Sequence, residues 1–260
     1  MVNQSIIITM IVATVISILL PITLMLYWKR KEKFQIKTFF LGMLGFFLFA
    51  MILERILHTV VISTKVIPVN TIYFAIYGAL AAGVFEEVGR FVIFKFFLKN
   101  NREWKDGLGY GLGHAGIEMI LLGGLTFVNY IVVALAINSD KLDKLLQGQN
   151  AEAVTNLKNT ILNLTAPEIA MGIGERILAL VLQLAFSFIV LYAIRERKNI
   201  YLLIAILVHA LVDFVPALYQ MNLISNIYFV EGIVFIFSIL AFIFVIKSKA
   251  IYRNNKQLGI

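Results

Sequence analysis

Seven long apolar stretches constrain this chain more than any other feature. They run roughly Ser5–Tyr27, Thr38–Val61, Thr71–Leu98, Leu108–Ile137, Pro167–Ile194, Ile200–Gln220 and Asn226–Ile246. Each can cross about 30 Å of hydrocarbon at 1.5 Å per residue. Stretches three to five exceed that requirement, so tilt or overhang is expected there. A chain of 260 residues that is 60% hydrophobic, with a mean hydropathy of +0.89, belongs in a bilayer. The expectation is an all-α polytopic membrane bundle of seven transmembrane helices, one integral membrane domain over 1–260. The opening MVNQS lacks a basic region, and the apolar run behind it is too long for a signal peptide, so it is read as a permanent first span.

The distribution of Lys and Arg sets the orientation. The first connection carries Lys29, Arg30, Lys31, Lys33 and Lys37; the third carries Lys99, Arg102 and Lys105, with Lys95 close by. The fifth carries Arg195, Arg197 and Lys198, and the tail Lys247, Lys249, Arg253 and Lys256. The alternate connections hold only Lys65, Lys141, Lys144 and Lys158. This pattern predicts an N-out, C-in protein. It also accounts for the net charge of +8 without a nucleic-acid partner. The absence of cysteine excludes disulfides, thiolate metal ligands and a Cys nucleophile.

The 138–166 connection is the only long one. Within it Val154, Leu157, Ile161 and Leu164 recur at helical spacing, as in a helix on the membrane surface; an ordinary capped loop is the alternative. Thr165, Pro167 and Glu168 form a reasonable start for span five.

Chemistry in such a chain is sought among polar residues that lipid disfavours. A carboxylate near a bilayer centre costs roughly 2.5–3.5 kcal/mol even on the lenient insertion scale. Span three nevertheless contains Glu86 and Glu87 side by side, followed by Gly89 and Arg90. Arg90 is four residues from Glu86 and three from Glu87, within reach of both on a helix. Gly89 removes bulk where a neighbouring helix could approach. Span four adds His114 and Glu118, and span six His209 and Asp213, each pair one helical turn apart. Glu86, Glu118, His209 and Asp213 sit about 10 to 13 residues from the cytoplasmic ends, with Arg90 and His114 shallower, so one shared layer is expected. Glu54, Arg55, Glu175, Arg176 and Glu231 fall in the outer half, where the two Glu-Arg pairs suggest clamping between helices.

A carboxylate in a dry pocket can serve as general base near neutral pH, and an imidazole beside it can orient water or donate to an oxyanion. His and carboxylate groups also bind zinc, whose open position would supply hydroxide. The GxGxxG of Gly111–Gly116 follows no strand and lies inside a span, so a dinucleotide site is rejected. Its glycines, with Gly109, instead suit close helix packing. Pro216 is expected to kink span six near the site.

Glu86-Glu87-Val88-Gly89-Arg90 resembles the EExxxR signature of the CAAX-protease and bacteriocin-processing superfamily of intramembrane proteases. His209-Ala-Leu-Val-Asp213 is similar to its terminal HxxxN or HxxxD motif. The detailed match is to the YhfC-type branch, which shows a glutamate pair before GR, a Gly-His-Ala-Gly-x-x-Glu stretch, a Glu-Arg pair and a terminal His-x-x-x-Asp. Here these are Phe85–Arg90, Gly113–Glu118, Glu175-Arg176 and His209–Asp213, a motif core at about 83–220.

The resemblance implies an intramembrane endopeptidase of a bacterial cytoplasmic membrane, acting on a membrane-embedded or membrane-adjacent peptide. By it, Glu86 activates water, Arg90 holds the glutamate pair, and His114 positions water or substrate. His209 and Asp213 stabilise the tetrahedral intermediate or complete a ligand set. Glu87, Glu118, Glu175 and Arg176 support them. A zinc-dependent version would draw on Glu86, His114 and His209; a glutamate-type mechanism needs no metal. Asp213 departs from the Asn of the prenyl-protease branch, and an ionised Asp would repel an oxyanion unless protonated or paired with His209. The rival readings are an ion-coupled transporter or proton relay, since buried Glu, Asp and His also carry protons, and a non-catalytic immunity-like protein.

Overall fold

Lipid offers the backbone no hydrogen-bond partner, so each apolar stretch must close its own bonds as a helix. The computed structural model describes residues 1–257, with side chains through 253; Lys256, counted above in the tail, lies outside the described side chains. Seven helices are long and apolar enough to cross a membrane, and we number them spans one to seven. They are Gln4–Glu32, Ile36–Thr64, Ile72–Phe97, Trp104–Asn138, Ala166–Arg195, Ile200–Gln220 and Ile227–Arg253. The described residues contain no strand. Large apolar side chains such as Leu19, Phe40, Ile56 and Leu240 point outward, the inverse of a water-soluble surface.

Contacts gather in two units. The first comprises Met1–Thr23 and Glu118–Ile177. Met10, Phe127, Ala134 and Ile169 pack its core. Val2 and Asn138 exchange two hydrogen bonds, N–H to Oδ1 at 2.6 Å and Nδ2 to carbonyl at 2.9 Å, which pin the start of the chain to the end of span four. The long connection does form a helix, Ala151–Asn163, and it is packed rather than loose. Asn150 caps it by accepting from the N–H groups of Glu152 and Ala153, and Ile161 is fully buried in the unit's core. Span five starts as expected: Thr165 N–H and Oγ1 donate to Glu168 Oε2 at 2.8 and 2.6 Å, a capping-box arrangement.

The second unit comprises Leu24–Ile117 and everything from Leu178 onward. Glycines let its helices meet backbone to backbone. A methyl on Gly42 would strike the Tyr110 carbonyl, and one on Gly113 the Phe39 carbonyl, so spans two and four touch directly beside His114. A methyl on Gly83 would lie 2.6 Å from the Ile206 carbonyl oxygen, which seats span three on span six. Gly89 accommodates the Phe49 ring of span two, since its Cβ would fall 2.6 Å from that ring. Span six remains helical through Pro216.

Three spans contain wide π-helical turns: Phe47–Glu54 in span two, Ile93–Phe97 ending span three and Met119–Gly124 in span four. Such turns occur often at functional sites and shift the angular position of every residue beyond them.

Candidate active site

Arg90 is the hub. It is fully buried, and its guanidinium meets groups from three spans. Nε donates to Glu87 Oε1 at 3.1 Å, and Nη2 to Glu86 Oε2 at 3.2 Å. Nη1 donates to the Gln183 carbonyl at 3.1 Å and to Ser187 Oγ at 2.7 Å. Nη2 also donates to Gln183 Oε1 and lies 3.0 Å from His114 Nε2. Helical spacing puts both carboxylates within reach of one planar fork, and the close seat of spans four and five completes the shell. A charge this deep survives only with such a full set of partners.

Glu86 is bonded on one side only. Arg90, His114 Nε2 at 2.9 Å and Gln183 Nε2 at 3.0 Å all meet Oε2, and no hydrogen bond falls on Oε1 among the described residues. His114 Nε2 can donate to Glu86 or accept from Arg90, but one tautomer cannot do both. Its Nδ1 is buried without a partner. Phe46 holds the ring edge-on, with centroids 5.1 Å apart.

Glu87, wholly buried, bridges Arg90 and span six, with its Oε1 2.7 Å from His209 Nδ1. The Phe186 ring stacks on His209 at 4.6 Å and 5°, fixing the imidazole plane. His209 Nε2 lies 3.4 Å from Asp213 Oδ2, one of the two arrangements under which an Asp suits this position. Asp213 is the open end of this chain, its side chain 40% exposed. Glu87 Oε2 is buried and has no partner.

The second unit therefore unites Glu86, Glu87, Arg90, His114, His209 and Asp213 from spans three, four and six. It also adds two residues to the expected set. In the sequence Gln183 is a single neutral polar residue within span five, and Ser187 is no more than a hydroxyl one turn further along it. The remaining three site residues gather in the first unit. Arg176 Nη1 donates to Glu118 Oε1 at 3.4 Å, and Nη2 donates to Glu175. Arg176 thus joins spans five and four through Glu118, a partner expected in the inner layer rather than in the other Glu-Arg pair. Glu54-Arg55 is no such clamp. Adjacent helical positions diverge by about 100°, so Glu54 is buried while Arg55 is exposed. Glu54 Oε1 instead pairs with His58 Nε2 at 3.1 Å, and His58 Nδ1 lies 2.8 Å from Tyr77 Oη on span three.

Beside this cluster an apolar groove of about 740 Å³ follows span three. Tyr73, Tyr77, Val84 and Phe85 are among its walls.

Comparison with known proteins gives two matches. A family model described as YhfC intramembrane metalloprotease matches residues 16–234. A Bacillus subtilis (strain 168) protein described as "Uncharacterized membrane protein YhfC" is 38% identical over 258 residues, covering 97% of this chain and 100% of the relative. No solved structure matches.

Proposed function

Because the chain belongs to the YhfC intramembrane metalloprotease family, we propose that it hydrolyses a peptide bond in or beside the membrane, with Glu86 as the base that activates water. We place it, by the EExxxR and HxxxD patterns, in the wider CAAX-protease and bacteriocin-processing superfamily.

The observation that carries this reading is the one-sided bonding of Glu86. Arg90, His114 and Gln183 all meet Oε2 and leave Oε1 for a water. Glu86 takes the water's proton as oxygen attacks the peptide carbonyl, then delivers that proton to the departing amine. His209, oriented by Glu87 and Phe186, and its partner Asp213 are assigned to the tetrahedral intermediate. Arg90, Gln183 and Ser187 are positioning residues, because they act through the carboxylates. His114 sets the geometry of Glu86 and of the water. An apolar peptide segment lying in the groove along span three would present its backbone beside Glu86.

The residues also fit a metal ion. Glu86, Glu87 and His209 each offer one ligand atom, all within 4.8 Å of one another, and the unpartnered Glu87 Oε2 is an acceptor lacking a donor. These three would hold zinc, which supplies a hydroxide nucleophile at neutral pH. Metal analysis of the detergent-purified protein, with chelator sensitivity, decides between the two versions.

The test of the function is a comparison of membrane peptides from cells expressing wild type or Glu86→Gln. Fragments present only with wild type identify the substrate. Proton flux in proteoliposomes that is lost in the variant, with no such fragments, would favour the transporter reading.

A further inference from the structure

Away from the carboxylate cluster, a second hollow of about 250 Å³ opens at the ends of spans three, four and five. It is lined by Lys99, Asn100, Arg102, Glu103 and Arg195. Three cations converge there on one carboxylate, and Glu103 Oε2 lies 3.0 Å from Lys105, outside the hollow. Neither Lys99 nor Arg102 forms an ion pair among the described residues. Arg102 Nε is buried with no acceptor, a donor that a native fold rarely leaves unmet.

The residues next to the hollow are packed against one another. Trp104 stacks on Phe188 at 5.3 Å and 10°, and its Nε1 donates to Ser248 Oγ at 2.7 Å. Tyr252 Oη donates to the Phe188 carbonyl at 2.8 Å, and the Arg195 guanidinium lies over the Tyr252 ring at 5.2 Å. Arg195 is therefore held in place, with one ion pair to Glu196 at 3.8 Å through Nε.

Converging like charges repel unless something with several acceptor oxygens joins them. At about 30 Å³ per water the hollow has room for roughly eight waters, enough for a phosphate bearing a small alcohol. A guanidinium fork matches two phosphate oxygens and an ammonium a third. We propose that Lys99, Arg102 and Arg195 form a binding site for a phosphate ester at the membrane surface.

The Lys/Arg distribution places this loop on the cytoplasmic side, where anionic lipid headgroups concentrate. A phosphatidylglycerol headgroup is thus the favoured source, and a soluble phosphate compound shares the same chemistry. The site stands apart from Glu86 and does not depend on the proposed hydrolysis.

The test is thermal unfolding of the purified full-length protein in neutral detergent, with phosphatidylglycerol, phosphatidylcholine or glycerol phosphate added. Native mass spectrometry provides a second readout. We expect phosphatidylglycerol to raise the wild-type midpoint by several degrees and to remain bound as one retained lipid. Phosphatidylcholine should do neither, and Lys99→Gln/Arg102→Gln should lose both effects. A shift with glycerol phosphate that is lost in the same variant supports the site and assigns it to a soluble ligand. Arg195→Gln provides an independent variant if the double substitution fails to fold. Equal phosphatidylglycerol responses in wild type and variants, or no response to any phosphate in wild type, overturn the proposal.

Discussion

Replacing Arg90 with Ala is the most informative perturbation of the fold. The guanidinium makes six contacts, two of them with carboxylates. Removing one partner of a buried ion pair costs about 3–5 kcal/mol, because the other charge is stranded. Here one deletion strands both Glu86 and Glu87, which are 8% and 0% exposed, so the upper end applies. About 5 kcal/mol is a factor of more than 10³ in the folding equilibrium. Arg90→Lys keeps the charge but loses the fork, and should cost about 1.5–3 kcal/mol, the range for a hydrogen bond to a charged group. Unfolding by sodium dodecyl sulfate, followed by tryptophan fluorescence, orders the three proteins. Adding Glu87→Gln to Arg90→Ala should recover part of the loss, because one stranded charge disappears. If Arg90→Ala unfolds at the wild-type detergent fraction, the guanidinium is not the hub described here.

Glycine packing gives a sharp contrast: Gly113→Ala drives a methyl into the Phe39 carbonyl and should destabilise by at least about 1–3 kcal/mol in the same titration. Gly124→Ala, whose added carbon meets only ordinary contacts at 3.5 Å, should change little. Since the chain has no cysteine, Ser17→Cys/Gly124→Cys introduces a single pair with Cβ atoms 3.5 Å apart. That separation lies in the disulfide range of about 3.5–4.5 Å; mild oxidation should join spans one and four, seen as a mobility shift that reductant reverses. Reporter fusions after Lys65 should be active outside the membrane, and those after Asn100 inside, if the Lys/Arg reading of orientation holds.

Much of this was legible because lipid makes polar residues conspicuous. Glu86, Glu87 and Arg90 stood out in an apolar helix, and their three- and four-residue spacing anticipated the shared guanidinium. His209 and Asp213 were visible for the same reason, as was the use of Gly113 for close packing. Gln183 and Ser187 were harder to find because neutral polar residues are cheaper in a membrane, and the bond from Arg90 to the Gln183 carbonyl comes from backbone that any residue carries. The π-helical turns left no trace in a count based on 3.6 residues per turn. Glu54-Arg55 misled because sequence adjacency suggests a unit, whereas helical geometry separates the two side chains. The pairing of Glu118 with Arg176 crossed the depth layers expected from counting along straight helices, and Met119–Gly124 begins at the next residue.

The central claim is that Glu86 activates water for peptide hydrolysis, and single-turnover cleavage in proteoliposomes tests it most directly. Wild type and Glu86→Gln, matched for unfolding midpoint, are mixed with a substrate recovered from the membrane-peptide comparison. The account predicts a fall of about 10²–10⁴-fold, the usual contribution of a positioned general base, with the folded state intact. Cleavage by Glu86→Gln at the wild-type rate would contradict it.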